Sequence, residues 1–245
     1  MRRALSTIEK RRVRALLMGG QACVLYGAAE FSRDADIAIL ATPANLQRLR
    51  LALRDLAAHV IAVPPLDLKY LKKGHAVHFR CQNPEVANLR IDVMTKMRGV
   101  DSFQKLWRRR TILTFPDGMR LDLLSLPDLV QTKKTQRDKD WPMIRRLVEA
   151  NYFGNRNKPN ARQILFWLRE LRTPELLVEA TELWPARSIR MSRQRPLLKL
   201  ALAREVDALS AALRDEEQKE REVDREYWRP LRLELEALRH AIPRY

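Results

Sequence analysis

Along the first half of the chain, short apolar runs alternate with turn-forming residues, and from Leu126 onward the apolar positions recur at helical intervals. The apolar stretch ending at Met18 is stopped by Gly19-Gly20, and residues 21–26 have helical character until Gly27. Residues 35–40 are almost wholly apolar, which predicts a buried strand. Thr42 can cap a helix with Pro43 in its first position, and Leu46, Leu49, Leu53 and Leu56 then share one core-facing stripe. Residues 75–80 alternate as a strand does, and 89–94 form a second strand after a turn at Asn83-Pro84. A helix is expected over 102–110. Residues 112–115 and 119–123 flank Pro116-Asp117-Gly118, a hairpin signal.

Ser125-Leu126-Pro127-Asp128 is a capping sequence, and 141–152 continues at helical period. The polar segment 155–160 reads as a linker, with further helices starting near Asn160, Thr173-Pro174 and Pro196. Pro230 is expected to interrupt the charge-rich helix of 215–226 before Leu231, Leu235 and Leu238 resume an apolar stripe. Tyr152, Phe153, Phe166 and Trp167 are expected in the core of this helical part. The pattern predicts an α/β (α+β) core, a mixed sheet flanked by helices over residues 1–153, followed by an all-helical region over 154–245.

Charge changes the picture. With 47 Lys and Arg against 30 Asp and Glu, the formal net charge is +17, an excess that attracts nucleic acid, nucleotides or an acidic partner. Two cysteines, Cys23 and Cys81, outside any CxxC or His-rich cluster, argue against a zinc site and a disulfide framework. No apolar run approaches the roughly 18 residues that cross a bilayer. A cytoplasmic protein without membrane contact is expected.

The candidate chemistry is carried by Gly19-Gly20, then Ser32-Arg33-Asp34-Ala35-Asp36-Ile37, then Ile91-Asp92-Val93. Side chains at i and i+2 of a strand share a face, so Asp34 and Asp36 can aim two carboxylates into one pocket. Neighbouring carboxylates repel unless a cation neutralises them. Asp92, in an otherwise apolar strand, is costly by itself if it faces the core. A hard divalent metal shared by the three would resolve these problems, and Mg²⁺ combines a few carboxylates with water and substrate phosphate. A glycine pair between strand and helix lets the backbone approach a ligand closely, with free N–H groups suited to phosphate. His75 and His78, three apart on a strand, face opposite sides and make a poor metal pair. Trp107 beside Arg108-Arg109-Arg110 can clamp RNA or anchor its helix. The run Arg187, Arg190, Arg193 and Arg195 can contact phosphates or be solvated.

Gly19-Gly20, Tyr26-Gly27 and Ser32-Arg33-Asp34-Ala35-Asp36-Ile37 resemble the signature of the DNA polymerase beta-like nucleotidyltransferase superfamily, nearest its abortive-infection toxin and minimal nucleotidyltransferase branches. Asp92 matches the family's third carboxylate. Leu126-Pro127-Asp128-Leu129-Val130, with Lys133-Lys134 and Arg137-Asp138-Lys139-Asp140, resembles its lysine-bearing helix and the basic element after it. The likeness covers approximately residues 10 to 150. It implies Asp34, Asp36 and Asp92 as catalytic metal ligands for Mg²⁺ or Mn²⁺. It further implies Gly19, Gly20, Ser32 and Lys133 or Lys134 as contacts to a nucleoside triphosphate. Many members of the superfamily carry glycine-serine where this chain has Gly19-Gly20.

The activity implied is transfer of a nucleoside monophosphate to an acceptor hydroxyl. RNA, transfer RNA included, is the first acceptor suggested by the resemblance and the charge. A toxin of a toxin–antitoxin or phage-defence system would bring a cognate antitoxin as partner. The alternatives are transfer to a protein or small molecule, or a non-catalytic protein that binds nucleotide or nucleic acid on the same fold.

Overall fold

A computed structural model describes residues 1–241 of the chain. In chain order the first part runs α1 (Arg2–Lys10), β1 (Ala15–Met18), α2 (Gly19–Leu25), β2 (Asp34–Ile39), α3 (Pro43–Asp55), β3 (Ala58–Val60) and α4 (Leu68–Lys73). It continues through β4 (Val77–Cys81), β5 (Arg90–Met94), α5 (Phe103–Arg108), β6 (Thr111–Thr114), β7 (Arg120–Leu123) and α6 (Leu126–Lys133). The strands form one mixed sheet in the order β3-β4-β5-β2-β1-β7-β6. β2 runs parallel to β5 and β1 parallel to β7, while the remaining pairs are antiparallel.

The expected α3 forms for the expected reasons. The Thr42 hydroxyl accepts the Asn45 N–H at 3.3 Å, Pro43 occupies the first turn, and Leu46, Leu49, Leu53 and Leu56 are buried. Asn45 ties this helix to the sheet, accepting from the Arg14 N–H at 2.7 Å and donating to the Arg14 and Leu40 carbonyls at 3.0 Å. In β2, Ala35, Ile37 and Ile39 are buried, whereas Asp34 and Asp36 on the other face are half-buried.

The remaining helices are α7 (Asp140–Asn155), α8 (Ala161–Glu170), α9 (Pro174–Leu183), α10 (Pro185–Met191), α11 (Leu198–Leu202) and α12 (Val206–His240). The chain divides into two compact units, one of residues 1–132 with the segment from 226 onward, the other of residues 133–225. The boundary expected at 153/154 falls within α7, inside the second unit. That unit's core holds Tyr152 edge-on to Trp167 at 5.0 Å and Trp167 beside Trp184 at 5.5 Å. Asn160 and Gln163 form a reciprocal capping box at the start of α8. Arg195 is buried, donating to the Leu168 and Leu171 carbonyls and to Glu216, so this member of the basic run is structural.

Two expectations fail. Phe153 is 52 % exposed, on the outer side of α7 with the Arg156 guanidinium 5.3 Å from its ring centre. Pro230 does not interrupt α12, which runs through it. A proline removes one N–H from the helix, and at this exposed site the freed carbonyl can be hydrated. The turn beyond is held by Glu234, which accepts from Lys73 at 2.5 Å and lies 3.0 Å from His75 Nε2. No helix among the described residues is long and apolar enough to cross a membrane.

Candidate active site

Strand register gathers the three aspartates. β2 pairs with β5 so that Asp36 stands opposite Asp92 and Asp34 opposite Arg90. The period of two along each strand puts all four side chains on one face. On the other side of β5, His78 of β4 stands opposite Asp92 and joins that face. β1 completes the neighbourhood, with Met18 opposite Asp36 and the chain entering α2 immediately afterwards.

The glycine pair has a steric reason. Gly19 has φ +66°, in the left-handed region, and a Cβ there would overlap the Asp36 carboxylate. A Cβ on Gly20 would lie 2.7 Å from the Ser32 hydroxyl oxygen. Gly19 thus makes room for Asp36 and Gly20 for Ser32. The Ser32 hydroxyl itself donates to the Asp34 carbonyl at 3.2 Å, holding the entry to β2. Tyr26 fixes the far end of α2, its hydroxyl 2.7 Å from both the Thr111 hydroxyl and the Leu124 carbonyl. Gly19, Gly20, Ser32, Asp34, Asp36 and Asp92 therefore come together.

Asp92 is not the solitary buried charge that its strand suggests. Arg90 donates to both of its oxygens, at 2.7 and 2.9 Å, and His78 Nδ1 lies 2.8 Å from Oδ1. Burial by itself pushes the Asp92 carboxyl up, but hydrogen bonds from His78 and Arg90, with their charges, bring it below the ordinary carboxylate value. The hydrogen bond to Asp92 raises Arg90 in turn, outweighing desolvation, with the fields of Asp34 and Asp36 contributing. Among the described residues no group of three or more His, Cys, Asp and Glu side chains is arranged to hold a metal ion. The Asp34–Asp36 pair nonetheless has the donor chemistry of a hard-cation site that completes its shell from water and phosphate.

Sequence spacing by itself does not assign Arg90 to this face, and it weighs His78 only as half of a poor metal pair with His75. Arg90 could have been found from its i, i+2 relation to Asp92. His78 needed the register of β4 on β5. Phe31, 70 % exposed beside Ser32, carries the Arg33 guanidinium 5.9 Å from its ring centre.

Lys133 and Lys134 belong to the second unit, and each meets a carboxylate there. Lys133 Nζ lies 3.0 Å from Asp140, and Lys134, buried, pairs with Glu170. Around Trp107 the basic run is largely spent internally. Arg109 forks onto Asp128 and also meets Asp101, while Arg110 pairs with Asp122 at 2.6 Å and lies 4.1 Å from the Trp107 ring centre.

No protein-family profile and no curated protein matches the chain. A crystal structure provisionally described as a nucleotidyltransferase from H. pylori is similar at 15% identity, over 89% of this chain and 93% of that one, with a TM-score of 0.40.

Proposed function

We propose that the face bearing Asp34, Asp36 and Asp92 is the active site of a nucleotidyltransferase that moves a nucleoside monophosphate from a nucleoside triphosphate to an acceptor hydroxyl. The observation that carries this reading is the pairing of Asp36 with Asp92 on adjacent parallel strands, beside a glycine whose missing side chain makes space for Asp36. Asp34 and Asp36 would hold Mg²⁺ or Mn²⁺, which supplies charge neutralisation to the phosphates and the reacting oxygens. The residues themselves act by position. Gly19 and Gly20 offer close backbone approach, and Ser32 sets the entry of β2. Asp92, ionised at neutral pH, is the oxygen donor facing Asp36, and Arg90 orients it while taking one of the positions a cation or an acceptor hydroxyl would occupy. Phosphoryl transfer asks for this combination of alignment and charge stabilisation. In the family pattern Lys133 or Lys134 contacts phosphate; either would first have to leave its carboxylate partner. RNA is the acceptor best matched to a net charge of +17.

One observation favours a second reading, a nucleotide- or RNA-binding protein without turnover: both Asp92 oxygens are already engaged. The two separate on incubating the protein with Mg²⁺, each α-labelled nucleoside triphosphate and total RNA, beside an Asp34→Ala/Asp36→Ala double variant. Label in RNA from the wild type alone establishes the transferase and names its nucleotide. Label on protein redirects the search for the acceptor. Salt-sensitive RNA binding with no label anywhere favours the binder.

A further inference from the structure

On the opposite face of the sheet a second feature has the makings of a ligand site. A cavity of about 360 Å³ is floored by apolar side chains that include Leu17, Ile37 and Leu121. Ile37 follows Asp36 in β2, so strand alternation turns this floor away from the aspartates. Arg12, Arg14, Arg48 and Arg120 also line the cavity. Among the described residues, none of these four guanidiniums has a carboxylate partner.

Their neighbours do find partners, which makes the omission informative. Arg11 forks onto Asp55 at 2.5 and 2.8 Å, Arg109 onto Asp128, and Arg110 meets Asp122. The acidic groups lining the cavity are Glu9 and Asp122, and Asp122 is the one taken by Arg110. Two of the four guanidiniums make weak or neutral contacts. Arg48 donates to the Arg12 carbonyl at 3.3 Å, and Arg14 lies 5.6 Å from the Trp107 ring centre. Arg12 itself has φ +54°, a left-handed conformation that glycine adopts at lower cost. All four are on exposed residues, and together they give the mouth of the hollow a positive potential that attracts an anion. Guanidinium forks match phosphate oxygens in pairs, while the aliphatic floor suits a flat or apolar body.

We propose that this cavity binds an organic phosphate of about mononucleotide size, its phosphates on the arginine rim and its base or apolar body on the Leu17–Ile37–Leu121 floor. The site is separate from the aspartate face and does not depend on the transferase reading.

Metal-free titration isolates it, because without a cation Asp34 and Asp36 repel a triphosphate. Calorimetry of the full chain in EDTA is expected to show one saturable ATP site, weaker by at least about tenfold in Arg48→Ala and Arg120→Ala. The Asp34→Ala/Asp36→Ala variant keeps that binding. Arg12→Gly loses affinity without losing melting temperature, since glycine relaxes the left-handed backbone. That divergence separates a ligand role from a folding role. Inorganic triphosphate binds more weakly than ATP, because it leaves the floor empty. Absence of saturable binding overturns the proposal, as does equal loss in Arg162→Ala, an exposed arginine of the other unit. Equal affinity for ATP and triphosphate overturns the organic ligand.

Discussion

At the residue scale, the aspartate face is a contest for Asp92. Arg90→Gln removes the fork that now neutralises this carboxylate. If Asp92 is a metal ligand, the half-saturating Mg²⁺ concentration for transfer falls, by up to about tenfold, as the competing cation is gone. A rise in that concentration removes Asp92 from the ligand set. Gly19→Ala places a methyl group into the Asp36 carboxylate at a positive φ. It is expected to cost roughly 1–3 kcal/mol of stability and to abolish transfer, read from a melting curve beside the labelling assay. Phe31 is exposed next to Ser32, with the Arg33 guanidinium 5.9 Å from its ring centre. Phe31→Ala is expected to raise the KM for nucleotide by the worth of one stacking contact, about 1–3 kcal/mol, while kcat changes little. A purely structural Phe31 would leave KM alone. Gly19, Gly20, Asp34 and Asp36 were legible in the sequence because strand alternation and the backbone freedom of glycine are local, whereas the side chains that need the space at the glycines come from elsewhere in the fold. Arg90 and His78 acquire their part only through pairing between strands.

At the scale of elements, the buried Asp140 at the start of α7 anchors its surroundings through Lys133 and Thr135. Burial pushes its carboxyl up, but the Lys133 charge, the Thr135 hydrogen bond and Arg137 together bring it below the ordinary 3.8. A depressed folded value means stability that is complete above the unfolded pKa and lost as pH falls through the folded one. Asp140→Asn is therefore expected to destabilise by about 3 kcal/mol at neutral pH. The gap from wild type should close below pH 3.8, measured by chemical unfolding across the acid range. Pro230→Ala tests the other unusual helix. Restoring the missing N–H within α12 is expected to stabilise by about 1–3 kcal/mol. A loss of stability would instead assign the proline a role in the helix's path. A cap and a leucine stripe announced α3, helical period over 141–152 announced α7, and the turn before Asn160 marked the start of α8. The short β3 and α4, with three and six residues, carry too little pattern to be read.

For the molecule as a whole, a charge of +17 makes any RNA contact salt-dependent. With four phosphate contacts on single-stranded RNA, raising salt from 50 to 200 mM should weaken binding roughly fiftyfold. An affinity that ignores salt counts against RNA as acceptor. Arg90, Arg109, Arg110 and Arg195 are committed to internal carboxylates, so the net excess is carried by the other basic residues. The arginines around the Leu17–Ile37–Leu121 cavity are different, being gathered without such partners.

By itself the sequence determined the strand–glycine–helix start, the carboxylates at i and i+2, the hairpin and the turn to helices after Leu126. These follow from side-chain period, backbone freedom at glycine and capping, which act over a few residues. Only the tertiary structure decided that Asp36 faces Asp92, that Arg90 and His78 close on that carboxylate, and that four arginines meet around an apolar floor. Those outcomes depend on strand order and on which charges find partners across the fold, and neither is set by neighbours in the chain.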